Sequence, residues 1–236
     1  MAHTNNICTD PREPRTGRAD ETARGRLRGH RVFAWAYDRF SGSAERGPLG
    51  VSRRGLVRQA HGVTLDLGSG TGHNLPHFTD EVTALHLVEP DPHMLRRLRQ
   101  RVTADAVTHA VVHQAGAEQL PFPDASVDTV VSTLTLCSVQ DPEAAAAELR
   151  RVLKPTGQLL VLEHVRSHDA RLAGRQDKLN RLWGRLAGGC HLNRDTGAIL
   201  KAAGFRAQHT RRTLLPGPTI TAEAVVGGLQ VAAQGA

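Results

Sequence analysis

Lysine is nearly missing from this chain: three of its 30 basic residues are Lys and the others Arg. Such a bias follows genome base composition as readily as function, so the formal net charge of +7 names no partner by itself. Aromatic residues make up only 3% of the sequence, which leaves little to stack on unpaired bases. Neither an attached RNA module nor an Asn/Asp-Pro-Pro-aromatic motif is present, and the sequence argues against nucleic acid as a partner. Cysteines number three, Cys8, Cys137 and Cys190, an odd set with neither a paired framework nor metal-ligand spacing. A reduced compartment and no metal are the expectation. Apolar runs never approach the roughly 20 residues of a membrane span, and MAHTNNICTDPREPRTG carries no apolar signal core and no twin arginine. The chain reads as soluble, unexported and cytoplasmic.

What is there is enough for one globular domain with attachments, since 236 residues at 39% hydrophobic content can bury a full core. Residues 1–28 are polar, Arg-rich and short of large apolar side chains, and read as a disordered tail. Residues 29–60 read as an N-terminal helical cap built from RVFAWAYDRF and PLGVSRRGLVRQA, and residues 61–236 as the main domain. Basic charge concentrates in residues 1–31 and 166–194. Those stretches could draw an anionic surface or simply be solvated.

From residue 63 onward, strand-length apolar bursts alternate with helical segments: VTLDL, TALHLV, AVVHQ, VDTVVST and QLLVLEH are separated by HNLPHF, DPHMLRRLRQRV and DPEAAAAELRRVL. Bursts that are apolar on both faces suit the centre of a parallel sheet, and the helices open at a capping Asp or a Pro. FRAQHTRRTLLPG and TITAEAVVGGLQVAA add two strands joined through a Pro-Gly turn. The prediction is an α/β fold, a doubly wound, mostly parallel seven-stranded sheet of Rossmann-like type with N-terminal helices.

The sharpest motif is LDLGSGTG, Leu65 to Gly72, leaving the first strand. A dinucleotide fingerprint would place its third glycine at position 73, which is His73. The spacing argues against NAD and for a nucleoside joined to methionine, with Asp66 meeting the ammonium group and the glycines admitting close backbone approach. Glu89, in LVEPD at the tip of the second strand, is placed to accept two ribose hydroxyls, while Asp91 caps the helix that follows. Gly116 to Phe122, after the third strand, stands where such folds wrap an adenine.

Together LDLGSGTG, EPDPHM, GAEQLPFPDASVD, VVSTLTLCSV and LRRVLKPTGQLLVLEHVRS resemble the class I methyltransferases related to ubiquinone and menaquinone C-methyltransferases and to bacterial phosphatidylethanolamine N-methyltransferases. The likeness extends to the membrane-associated thiol methyltransferases of animals, through TLxLCSV, EHV and a GCxLxR element running from Gly189 to Arg194. It covers about residues 33 to 228. The resemblance implies S-adenosyl-L-methionine as cofactor, held by Asp66, Gly68, Ser69, Gly70, Thr71 and Gly72 at the methionine part, Glu89 and Pro90 at the ribose, and Ala117 and Glu118 at the adenine. Thr133 and Leu134 would lie beside the sulfonium. Two departures stand out: Gly116 replaces the Asp of many relatives, and a polar tail replaces the N-terminal anchor of the thiol methyltransferases.

For the acceptor end, Tyr37 with Asp38 resembles an element that closes the cofactor pocket, and Glu163 and His164 end the fifth strand, where open sheets place their sites. Either could orient or deprotonate the acceptor, His164 more naturally because imidazole titrates near neutrality. Cys137 and Cys190 read as small packing groups. The leading expectation is a methyltransferase acting on sulfur, oxygen or nitrogen of a small hydrophobic molecule. A rival is methylation of phospholipid headgroups, because RQDKLNRLWGRLA sets Leu179, Leu182, Trp183 and Leu186 on one helical face among Arg175, Lys178, Arg181 and Arg185, as in a helix lying on an anionic membrane. The plainer reading of that helix is a lid packing its apolar stripe over the substrate pocket.

Overall fold

Strand β1 (Gly62–Leu67) lies at the middle of a seven-stranded sheet in a computed structural model that describes residues 44–105, 107, 109–215 and 222–232. The tail at residues 1–28, the helix expected over RVFAWAYDRF, Tyr37 and Cys8 fall outside the described residues. The order across the sheet is β3-β2-β1-β4-β5-β7-β6, with β2 Val82–Val88, β3 Ala110–His113, β4 Val127–Thr133, β5 Leu153–His164, β6 Phe205–Leu215 and β7 Ala222–Val231. The first five strands pair in parallel, while β7 runs antiparallel to both β5 and β6. The doubly wound, mostly parallel sheet expected from the sequence is the observed one.

The helices sort onto two faces by the two-residue period of the strands. Leu159 and Val161 of β5 join one core with Ala145, Ala146, Leu149 and Val152 of α3 (Pro142–Val152) and Leu200 of α5 (Thr196–Ala202). Leu160 and Leu162 point the other way, into a core with Leu56 and Val57 of α1 (Pro48–Val57) and Leu95 and Leu98 of α2 (Pro92–Ala104). Helix α1 is thus part of the main core. Each fully buried Leu contributes about 1.5–3 kcal/mol relative to exposure, so both faces are firmly held. Asp91 caps α2 by accepting from the backbone N–H groups of His93 and Met94, with Pro92 in the first turn, as expected.

Two expectations need correction. HNLPHF forms only a single 3-10 turn, Leu75–His77, because Pro76 supplies no N–H and Phe78 has already returned to extended backbone. Helix α4 (Ala170–Leu186) does not pack its leucine stripe: Ala173 and Gln176 are its buried residues, whereas Leu182 and Leu186 are 58% and 68% exposed and Leu179 is exposed too. The side facing the protein is rotated toward Gln176, whose amide donates to the carbonyls of Val165 and Leu192 at 2.9 Å. No helix among the described residues is long and apolar enough to cross a membrane.

Candidate active site

The carboxyl ends of β1, β2, β4 and β5 bring most of the expected residues to one edge of the sheet. Asp66 is fully buried, and its Oδ1 accepts from Asn74 Nδ2 at 2.6 Å. Its Oδ2 is buried without a hydrogen-bonding partner. Burial pushes this carboxyl up to about 6, with the Asn74 hydrogen bond acting in the opposite direction. A buried, unpaired acceptor of this kind suits an ammonium group.

Asn74 is itself held by Arg53, a buried guanidinium from α1. Arg53 Nη1 donates to Asn74 Oδ1 and to Thr133 Oγ1, both at 2.7 Å, and Glu45 balances its charge at 3.0 Å. Asp66, Asn74, Thr133, Arg53 and Glu45 therefore form one connected polar network reaching from the helix layer to the strand tips. Thr133 was expected at the site; Arg53, Asn74 and Glu45 were not.

The glycine loop follows Asp66 directly. Gly68 is at φ +62°, and a Cβ there would collide with the side chain of Thr135, whose Oγ1 donates to the carbonyl of Leu67 at 2.9 Å. This glycine lets the loops after β1 and β4 touch. Gly70, at φ +57°, has the opposite surroundings: its missing Cβ would find nothing closer than 3.9 Å. The space beside it is a cradle that any side chain would fill. Ser69 and Thr71 are buried within the loop, and Gly72 closes it at φ +91°.

Glu89 faces this loop from β2. Its Oε2 accepts from Gly70 N and its Oε1 from Asp91 N, both at 2.8 Å. Burial raises its carboxyl to about 7, against the lowering effect of those two backbone donors. Each oxygen retains a second acceptor direction for a hydroxyl. Pro90 follows, half-buried, while Ala117 is buried and the Oε1 of Glu118 takes the N–H groups of Gln140 at 3.0 Å and Asp141 at 3.3 Å. Glu118 thus ties the loop after β3 to the start of α3.

After β4 the chain turns sharply through Leu134, one of two non-glycine residues with positive φ among the described residues, at +58°. A left-handed leucine costs about 1–2 kcal/mol, and such strain persists where surrounding contacts hold it. Glu163 supplies those contacts. Fully buried, its carboxyl accepts from Ser132 Oγ at 2.7 Å, from the N–H groups of Thr135 and Leu136 at 3.0 Å, and from Cys137 N at 3.1 Å. Strand alternation turns Glu163 inward with Leu159 and Val161, and both of its oxygens are taken up by the loop.

His164 points to the other side and is half-buried, with Nδ1 directed at the sulfurs of Cys137 and Cys190. Burial works to lower its basicity, but hydrogen bonding to Cys137 and the neighbouring carboxyl raise it above the ordinary value. Contact with Cys190, and then burial, hold the Cys137 thiol well above its usual range. The GCxLxR element meets this same loop three times: Cys190 reaches Cys137, His191 N donates to the Cys137 carbonyl at 2.8 Å, and Arg194 Nη1 donates to the carbonyls of Leu136 and Val139.

Comparison with known proteins identifies the family. A methyltransferase domain family aligns with residues 65–161. The human thiol S-methyltransferase TMT1B is 33% identical over 192 residues, covering 73% of this chain and 78% of that protein. The chain belongs to the class I S-adenosylmethionine-dependent methyltransferases. This methyltransferase is also 40% identical to the ubiquinone/menaquinone biosynthesis C-methyltransferase UbiE of Pasteurella multocida, over 45% of the chain and 41% of the relative. The rat enzyme carrying the TMT1B name aligns over 59% of its own length. Among solved structures, the YcgJ protein from Bacillus subtilis shares the fold of the methyltransferase at TM-score 0.65 and 18% identity, covering 79% of this chain and 100% of that one.

Proposed function

We propose that this methyltransferase transfers the methyl group of S-adenosylmethionine to the sulfur of a small hydrophobic thiol. The observation that carries the cofactor placement is the pairing of the partnerless Asp66 Oδ2 with the open cradle at Gly70. Asp66 would hold the ammonium group, Gly68 to Gly72 the methionine part, Glu89 and Pro90 the ribose, and Ala117 and Glu118 the adenine. Thr133 and Leu134 would line the reactive end.

The sulfonium supplies an activated methyl group that leaves by in-line displacement, so the protein's task is alignment and exclusion of water. Arg53 and Asn74 fix Asp66 and Thr133 in register. Glu163 fixes the turn at Leu134, and His164 remains as the titratable group on the acceptor side. Support for sulfur as the accepting atom comes from the thiol S-methyltransferase relative matched over 78% of its length. A phospholipid headgroup is the second reading, favoured by the exposed Leu179, Leu182 and Leu186 beside Arg175, Lys178, Arg181 and Arg185.

Labelled cofactor offered with arenethiols, phenols, amines and phosphatidylethanolamine vesicles tests these readings. Turnover should be highest with the thiols, by tenfold or more on the order expected for a site shaped for one acceptor class. Turnover confined to phosphatidylethanolamine would replace the thiol reading with the lipid one.

Cofactor affinity should also depend on pH. Ammonium and hydroxyl donors favour the ionised carboxylates, whereas the ligand-free protein holds protons on Asp66 to about 6 and on Glu89 to about 7. Affinity for S-adenosylhomocysteine should therefore be full above about pH 7 and fall, by up to about tenfold per pH unit for each linked proton, on acidification. Calorimetric titrations between pH 5.5 and 7.5 check the slope; an affinity flat across that range would contradict the assigned contacts.

A further inference from the structure

Three residues distant in the chain converge beside the acceptor end. Cys137 sits in the loop after β4, His164 ends β5, and Cys190 follows α4. Their ligand atoms all lie within 4.8 Å of one another. The two Sγ atoms are 3.5 Å apart, and His164 Nδ1 is 3.3 Å from Cys190 Sγ and 3.9 Å from Cys137 Sγ. Both thiols are free and buried. We propose that Cys137 Sγ, Cys190 Sγ and His164 Nδ1 bind one soft divalent cation, zinc in the first place, leaving a fourth position open.

The spacing carries the argument. Tetrahedral zinc at about 2.3 Å from sulfur and about 2.0–2.1 Å from nitrogen sets two sulfurs roughly 3.8 Å apart and sulfur from nitrogen roughly 3.6 Å apart. All three observed distances lie within a few tenths of an ångström of those values. The ligands are also held from behind. Glu163 takes the N–H of Cys137, His191 N donates to the Cys137 carbonyl at 2.8 Å, and Cys190 N donates to Ala187 O at 3.2 Å. Backbone anchoring of this kind orients ligands before the ion arrives. Two thiolates and a neutral imidazole are soft donors, which select zinc over magnesium or calcium.

Binding involves no redox change: the ion exchanges water for the three protein atoms, and each thiol releases its proton to solvent. Three protein ligands and one open position are the pattern of a reactive zinc site, whereas structural sites are closed by a fourth protein ligand. The open side is that of the half-buried His164, and Leu134, assigned above to the reactive end of the cofactor pocket, packs against the same cysteines. Resting on the thiol reading, the fourth position would take the acceptor's sulfur as thiolate, its proton passing to solvent. The methyl group would then pass from the sulfonium to that sulfur, forming a thioether and leaving S-adenosylhomocysteine.

The test uses the full chain, purified reduced and stripped of metal. Titration with Zn2+ against a chromophoric chelator should give one equivalent bound, and Co2+ should develop a thiolate-to-cobalt charge-transfer band. Cys137→Ser and Cys190→Ser should each weaken zinc binding by roughly 100-fold or more while retaining S-adenosylhomocysteine binding, which reports an intact fold. Zinc bound no more tightly by the unaltered protein than by the Cys137→Ser/Cys190→Ser protein would overturn the site and leave the cluster as packing. Adding an arenethiol to the cobalt-loaded protein should shift the charge-transfer band, and an unmoved band would overturn ligation of the acceptor. Metal binding with no thiol turnover would keep the site and defeat the acceptor reading, so the two failures are distinguishable.

Discussion

Glu89→Ala should bind S-adenosylhomocysteine on the order of 10- to 1000-fold more weakly than the unaltered protein. Two effects add. A carboxylate at the tip of β2 offers two charge-assisted acceptors to a pair of ribose hydroxyls, each contributing about 1.5–3 kcal/mol, less where water reaches the site. The same oxygens hold the N–H groups of Gly70 and Asp91, so their removal also releases the loop that shapes the Gly70 cradle. Calorimetric titration of both proteins at pH 7.5 measures the difference, with circular dichroism to establish that the variant is folded. Unchanged affinity in a folded Glu89→Ala protein would remove Glu89 from the site and undo the cofactor placement.

Glu163→Ala should lose about 3–5 kcal/mol of stability, the largest structural effect expected at this edge of the sheet. Its carboxyl serves one hydroxyl and three backbone N–H groups in a fully buried position. Alanine would leave those backbone donors unsatisfied at about 1–3 kcal/mol each, partly relieved by relaxation of the loop. For a chain of this size the melting temperature should fall by about 10 °C, at roughly 2–4 °C per kcal/mol. Calorimetric melting separates this from a chemical role. An unchanged melting temperature with collapsed kcat would return Glu163 to the reacting centre.

The legible parts of this protein are those written as local patterns. Continuous apolar bursts such as VTLDL and VDTVVST can only be strands buried on both faces, and their alternation with capped helices dictated the parallel core. The placement of Asp66 and Glu89 beside the glycine loop was legible because position at a strand tip, next to that loop or one crossover later, constrains what an acid there can reach. Glu163 also ends a strand, yet its carboxyl faces the α3 side, where the turn after β4 presents its N–H groups. Residue type and position alone do not distinguish an acid facing a ligand from one facing a loop. Arg53 and Asn74 carry no periodic signal, since their importance lies in a contact made across the fold. Helix α5 went unremarked because TGAILKA is too short to display a stripe. The most consequential omission was the cluster of Cys137, His164 and Cys190. Metal-ligand spacing is readable when ligands share a turn or a hairpin; here three separate elements contribute one atom each, and linear spacing is silent.

The antiparallel strand β7 has a consequence for how this protein comes into being. It lies between β5 and β6, although both precede it in the chain. On the ribosome, β1 to β5 and their helices can assemble in order of synthesis, but β6 has no sheet edge of its own to join until β7 has emerged. The unpaired backbone of β5 therefore stays open until β7 has been made, and the sheet closes when that strand inserts. An open edge of apolar parallel sheet is a template for pairing with other chains, so the growing chain is most prone to association in the interval before β7 inserts. Gly227, whose missing Cβ would lie 2.0 Å from the carbonyl oxygen of His209, lets that final strand settle against the irregular register of β6 without a side chain in the way.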